Sequence, residues 1–285
     1  GSSRFCSGGV GLQTRRPQHS LQRVPAFAMA PTSLATVIAA ALASGAGAYS
    51  PTFSSPVERY VEHPIASLPA IAGVQMEVRM LGQQVNGTHI VGHLVTLANP
   101  AGRVSLALPP GGCGTRSLTS VTAKAHQPMC RLAINAGYFN VDNGDCIGNV
   151  VSHGFVVQTV PLSQGNVNFG IRNGKFAVGY FTPEEVQEFE QLVSGVVWLV
   201  RDGKNYVQQG WAEANITVQT SGKKYATSLA SRTAVGYDAA GRMIIAQIDG
   251  SIAVGVGRGM NMAQLADLLI QHGAVNAINL DGGGS

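Results

Sequence analysis

Residues 242–250, RMIIAQIDG, and 274–282, AVNAINLDG, decide the fold. Each is an apolar run closed by Asp-Gly. Between them lie a Gly-rich loop and a segment from Asn261 in which Met262, Leu265 and Leu269 share one stripe before Gly273. An Asn ahead of the first periodic residue and a Gly behind the last bound a helix over 261–272. Strand, helix, strand in this order is a β-α-β unit, and its crossover makes the two strands run parallel. Asp249 and Asp281 therefore leave the same edge of one sheet, the edge at which open sheets with parallel strands bind ligands.

One step upstream, TAVGYDAAGRMIIAQID (233–249) reads as a hairpin turning at Asp238–Gly241. Pairing Tyr237 with Arg242 and counting back sets Arg232 opposite Gln247, two positions from Asp249. Arg232, Asp249 and Asp281 then converge. Two carboxylates with an arginine suit hydrolysis of a bond beside a phosphate, because the arginine can hold the anion bidentately while a carboxyl serves as acid, base or nucleophile. Taken singly, Asp-Gly after a strand is turn chemistry and Arg232 an ordinary ion-pair residue; the coincidence at one edge is what favours a site.

Further out, NFGIRNGKFAVGYF (168–181) and VVWLVRDGKNYV (196–207) are hairpins through Asn173-Gly174 and Asp202-Gly203. Thr182-Pro183-Glu184-Glu185 is a capping box, and Val186, Phe189 and Val193 extend a helix from it toward Gly195. The fold class that results is α+β, with mixed, hairpin-rich β-sheets, a few packed helices and the C-terminal β-α-β unit. Gly255-Val-Gly-Arg258-Gly259 is a loop and not a dinucleotide fingerprint, since Met260 holds the last Gly position. Asp142-Asn143-Gly144-Asp145 is a turn that lacks the downstream Glu of a calcium loop. His89 and His93 lie in a β-prone stretch, where i, i+4 spacing has no ligand logic, so no metal is expected.

The chain of 285 residues carries 19 basic and 15 acidic groups, but Arg4, Arg15, Arg16 and Arg23 fall in the acid-free first 48 positions. The remainder is neutral, which excludes a basic patch for nucleic acid. LATVIAAAL (34–42), an uncharged run of nine, precedes Ala46-Gly47-Ala48 in the layout of a secretory signal peptide. It is shorter than the ~20 residues that span a bilayer. The expected organisation is a leader over 1–48, an extended Pro-rich segment over 49–70 and a domain over 71–285. Sequons at Asn86 and Asn215 fit glycosylation on a secretory route. Cys113, Cys130 and Cys146 remain in the body, an odd number.

Asn135-Ala136-Gly137-Tyr138-Phe139, Gly148-Asn149-Val150-Val151-Ser152, SGVVWLV (194–200), SRTAVG (231–236) and NLDGGGS (279–285) resemble, in order and spacing, the phosphodiester glycosidase family. The resemblance implies a Golgi-lumen hydrolase without cofactor that removes N-acetylglucosamine from the phosphodiester on phosphorylated N-glycans of lysosomal hydrolases, exposing mannose-6-phosphate. Hydrolysis of another sugar-1-phosphodiester, or carbohydrate binding without turnover, would use the same residues. It places the site around Asn135, Tyr138, Asn149, Arg232, Asp249, Asn279, Asp281, Gly283, Gly284 and Ser285. In the roles assigned, Arg232 holds the phosphate and Asp249 or Asp281 acts as acid or base. Asn135 and Asn149 meet the sugar, and the amides after Gly282 approach the anion. Ala136 stands where the family has Gly, and His153 where it has Asp. The family's domain continues with further strands, so any membrane anchor is expected only beyond Ser285. Cys113 is expected to pair with Cys146, leaving Cys130 for a cysteine downstream.

Overall fold

The computed structural model describes residues 4–7, 59–66, 76–85, 88–109, 111–115, 124, 130–215, 224–250 and 258–283. The described residues group as one compact unit. In chain order the first strands are β1 (Arg4–Ser7), β2 (Tyr60–Pro64), β3 (Met76–Val85), β4 (Thr88–Leu97), β5 (Val104–Ala107), β6 (Leu132–Asn135), β7 (Val150–Ser152) and β8 (Phe155–Gln158). Then come β9 (Asn168–Arg172), β10 (Lys175–Gly179), α1 (Pro183–Val186), β11 (Gln191–Ser194), β12 (Trp198–Arg201), β13 (Lys204–Asn205), α2 (Val207–Glu213) and α3 (Lys224–Thr227). The chain closes with β14 (Arg232–Asp238), β15 (Met243–Ile248), α4 (Met262–Gln271) and β16 (Ala274–Leu280).

The hairpins form where the turn chemistry asks for them. Asn173-Gly174 and Asp202-Gly203 take positive φ at both positions, closing Arg172 on Lys175 and Arg201 on Lys204 in the twist that suits two-residue loops. A third such loop, His153-Gly154, joins β7 to β8 with Ser152 opposite Phe155. His153, at φ 52, is thus a turn residue at the far end of β7 from Asn149. Asp tolerates the same left-handed conformation, so the family's Asp serves this turn equally well.

Three sheets result. Seven strands run β13-β12-β16-β14-β15-β4-β3, six run β2-β10-β9-β11-β7-β8, and β1 lies between β5 and β6. Val235, Tyr237, Ile245 and Leu280 on one face of the seven-stranded sheet pack into one core with Phe169, Phe176 and Val193 of the six-stranded sheet and Leu106 and Ile134 of the third. Its other face, through Ala234, Ala246 and Ile248, packs on Met262, Leu265 and Leu269 of α4. Burial on both faces explains why 243–248 and 274–280 are apolar apart from Gln247, Asn276 and Asn279. On the outer face of the six-stranded sheet, Val186 and Phe189 cover Ala177 and Leu192.

The α+β class and the hairpin-rich sheets stand, and four details differ from the sequence reading. First, β15 and β16 do run parallel, but β14 lies between them, antiparallel to both. Second, the capping box at Thr182 forms, yet α1 ends at Val186 and residues 191–194 become β11, buried throughout and paired with β7 and β9. Pairing on two sides outweighs a helical spacing of only three apolar residues. Third, Arg4–Ser7, assigned to the leader, is the central strand of its sheet, antiparallel to β5 and β6. Fourth, Cys130 is disulfide-bonded within the chain and no described cysteine is free, so the expectation of a partner downstream is corrected. The Cys113–Cys146 bond is present.

The β14–β15 register is also one residue off the count. Gly241 N–H donates to the Asp238 carbonyl at 3.0 Å, so the turn sits where expected, but Asp238 N–H also donates to the Arg242 carbonyl at 3.0 Å and Gly241 takes φ 74. A turn followed by one left-handed Gly is a three-residue loop with a bulge, and it absorbs one extra residue. Tyr237 therefore pairs with Met243, and Arg232 with Ile248.

Candidate functional site

Three strand ends meet at the start of β14. Arg232 lies opposite Ile248 of β15, and Thr233 opposite both Gln247 of β15 and Leu280 of β16. Two glycines let the following backbone close on this point. A Cβ on Gly250 would fall 2.1 Å from the Ser231 nitrogen, and one on Gly282 2.4 Å from the Ser231 oxygen and 2.7 Å from Arg232 Cα. Only glycine permits such backbone contact, which is the physical content of Asp-Gly at both strand ends.

Arg232 is 2% exposed. Nε donates to the Met260 carbonyl at 3.1 Å, and Nη2 to the Tyr225 and Ser228 carbonyls at 2.7 and 2.9 Å. The Tyr225 ring lies 5.0 Å from Cζ. Among the described residues no carboxylate forms an ion pair with this guanidinium and no acceptor engages Nη1. A buried cation held only by neutral carbonyls is costly unless an anion completes its surroundings.

Around Asp281 the motif residues dock on one another. Asp281 N–H donates to the Ala136 carbonyl at 3.0 Å, and Gly283 N–H donates to Asp281 Oδ1 at 3.0 Å. Asn135 Nδ2 donates to the Gly283 carbonyl. These bonds explain why an Asn-Ala-Gly-Tyr block and an Asn-Leu-Asp-Gly block, bridged by a bond across 148 positions of sequence, belong together. Tyr138 hydroxyl donates to the Leu280 carbonyl at 2.9 Å and so accepts from the Tyr225 hydroxyl and from Asn279 Nδ2. Burial first, then Tyr225 and the Asp281 charge, push the Tyr138 hydroxyl well above its ordinary range. Burial likewise raises Tyr225. Both hydroxyls stay protonated. Asn279 is fully buried, and its Oδ1 has no partner among the described residues.

Arg232, Asn135, Tyr138, Asn279, Asp281 and Gly283 are brought together; Asn149 and Asp249 are placed differently. Asn149 Oδ1 accepts from Val160 N–H at 2.9 Å and its Nδ2 donates to Asn168 Oδ1, while its own N–H donates to Ser194 Oγ at 2.7 Å. Its amide is committed to a buried network of Asn149, Asn168 and Ser194. Asp249 leaves the same edge as Arg232 but is exposed, and its Oδ1 accepts from Gln247 Nε2 at 2.9 Å. Gln247 Oε1 in turn meets His93 Nδ1 at 3.0 Å. Asp249 thereby follows Gln247 onto the face opposite Arg232. The one-residue register shift is the cause, because a slip of one exchanges the faces of a strand.

Gly284, Ser285, Asn86 and the loop 255–257 lie outside the described residues. Asn215 is half-buried, with Nδ2 donating to the Gln164 carbonyl at 3.2 Å. Residues 142–145 form the expected turn, Asp142 N–H donating to Asn140 Oδ1 and Asp145 N–H to Asn143 Oδ1. No group of three or more His, Cys, Asp or Glu among the described residues could hold a metal. Tyr225, Ser228 and the Met260 carbonyl are site-forming groups that the sequence reading missed, and nothing in KKYATS (223–228) signals them.

The fold is an α+β domain in which an arginine, buried and without a carboxylate partner among the described residues, sits at the sheet edge where the strand leading to Asp281 ends. Residues 129–285 match the phosphodiester glycosidase family, and the chain belongs to that family. It is 40% identical over 217 residues to the mouse N-acetylglucosamine-1-phosphodiester alpha-N-acetylglucosaminidase, covering 73% of this chain and 41% of that one. To the human protein of the same name it is 37% identical, covering 78% and 44%. The chain thus spans less than half the length of these curated relatives. The zebrafish catalytic domain of that name, solved auto-inhibited by its pro-peptide, superposes with a TM-score of 0.70 at 34% identity, covering 81% of this chain and 80% of that one.

Proposed function

We propose that this chain hydrolyses the sugar-1-phosphodiester of N-acetylglucosamine-α-1-phospho-6-mannose, on phosphorylated N-glycans of lysosomal hydrolases in the Golgi lumen. The observation that carries the reading is Arg232, buried and unpaired by any carboxylate among the described residues, with Nη1 unengaged. A diester phosphate bears one negative charge, which such a guanidinium neutralises. The names of the family relatives support the sugar. Asp281 lies within electrostatic reach of Tyr138 and Tyr225, the residues that also feel Arg232, and serves as the acid or base. Asn135 fixes the 281–283 turn, whose Gly283 N–H donates to Asp281 Oδ1 and so holds that carboxylate in place. Water adds across the ester, its oxygen and one proton ending on one product and its second proton on the leaving oxygen.

Turnover of UDP-N-acetylglucosamine by the full chain tests this. Asp281→Asn is expected to lower kcat by about 100-fold or more, the usual worth of a positioned acid or base. Asp249→Asn, on the other face, is expected to cost less. Binding without turnover in the wild type would make the chain a carbohydrate-binding domain, and preference for another sugar-1-phosphodiester would move the substrate.

A further inference from the structure

Tyr225 sits on the four-residue helix α3, in a stretch without a recognisable motif, yet it contacts Arg232, Tyr138 and Asn279. Its carbonyl accepts from Arg232 Nη2 at 2.7 Å, and its ring lies 5.0 Å from the Arg232 guanidinium carbon. Its hydroxyl bonds to the Tyr138 hydroxyl and accepts from Asn279 Nδ2 at 3.4 Å. The ring also stacks with Trp211 of α2, centroids 6.3 Å apart and planes at 27°. No other described residue joins Arg232 to the Tyr138–Asn279 pair.

We infer that Tyr225 is a positioning residue of this site, one that fixes the guanidinium through its ring and carbonyl and fixes the Asn279 amide through its hydroxyl. The inference rests on the reading of Arg232 as the anion holder. The two halves of the side chain act on different groups, so they separate by mutation. Removing the hydroxyl leaves the ring under Arg232. Removing the ring leaves the backbone carbonyl in place and strips the guanidinium of the aromatic face that lies over it. Proton bookkeeping places Tyr225 as donor to Tyr138, since Tyr138 spends its own proton on the Leu280 carbonyl. Without the Tyr225 hydroxyl, Asn279 Nδ2 keeps one partner and its amide plane is free to rotate.

The test uses the full chain with Tyr225→Phe, Tyr225→Leu and Tyr138→Phe, and reads two quantities: kcat and KM on UDP-N-acetylglucosamine, and the rise in Tm produced by inorganic phosphate. Tyr225→Phe is expected to lower kcat about tenfold, the worth of one hydrogen bond, with KM and the phosphate-induced rise unchanged. Tyr138→Phe should match it. Tyr225→Leu should in addition weaken phosphate binding about fivefold, in line with a lost cation–π contact. A uniform fall in Tm with kcat, KM and the phosphate response unaltered would show a merely structural role and overturn the inference. So would a Tyr225→Leu variant that binds phosphate as the wild type does. A wild type that responds to phosphate but turns nothing over, with Tyr225→Leu losing the response, keeps the inference and fails the proposed function. A wild type without any phosphate response overturns both the inference and the anion role of Arg232.

Discussion

Arg232 and Asn149 show how differently two buried polar side chains can be used. Arg232 donates to three carbonyls and keeps part of its guanidinium unengaged, while Asn149 spends its amide on Val160 and Asn168. Arg232→Lys keeps the charge but cannot reach three acceptors. It is expected to destabilise the fold by about 1–3 kcal/mol for carbonyls left bare, read by urea denaturation, as well as to weaken phosphate binding. Asn149→Ala should cost a similar amount, about 1–3 kcal/mol, because Val160 N–H and Asn168 lose a partner. Its activity per folded molecule should keep a normal KM; a raised KM would mean that Asn149 meets the sugar. Arg232, Asn135 and Asp281 were legible because each belongs to a dense local pattern. Tyr225 was not, since its contacts come from α3 folding over an edge that no neighbouring residue announces.

At the level of elements, the β15–α4–β16 unit was readable almost to the residue. Asn261 caps α4 by accepting from Gln264 N–H at 2.9 Å, and Gly273 ends it. Asn261→Ala should cost about 1 kcal/mol, measured by denaturation. What could not be read was which face each carboxylate takes, because the extra residue at Gly241 enters through a bulge that leaves no apolar signature. The helix expected to reach Val193 failed for a related reason: a spacing of three apolar residues cannot be told from a buried strand until its partners are known. Gly282→Ala tests the element contact that matters most. Its Cβ would collide with the backbone of Ser231 and Arg232, so Asp281 must move away from the guanidinium. Activity is expected to fall about 100-fold, as when reacting groups are misplaced by an ångström, with a smaller loss of stability. Unchanged activity would mean that the strand ends need not touch.

The whole molecule is held by features outside the site. The Cys113–Cys146 bond closes a separation of 33 residues and ties the loop before the Asn135 block to the turn after it. Replacing both cysteines by alanine should cost about 3–4 kcal/mol by the loop-entropy estimate. Stability should also fall in acid. At Glu185 and Glu62, burial alone would raise the carboxyl pKa, but hydrogen bonds from Arg59 and Thr182, and from Lys175 and Arg172, outweigh it and hold both below their ordinary 4.5. A depressed carboxyl contributes stability above its unfolded value and loses it as pH falls through the folded one. Tm should therefore drop below about pH 4.5, and Glu185→Gln should flatten that drop; an unaltered profile would assign the acid sensitivity elsewhere. The most direct measurement is the release of N-acetylglucosamine from a synthetic N-acetylglucosamine-1-phospho-6-mannose diester by the purified chain. Equal amounts of free sugar and mannose-6-phosphate are expected from the wild type, with release nearly abolished by Asp281→Asn; no release, or release undiminished by that substitution, would rule out the proposed hydrolysis at this site.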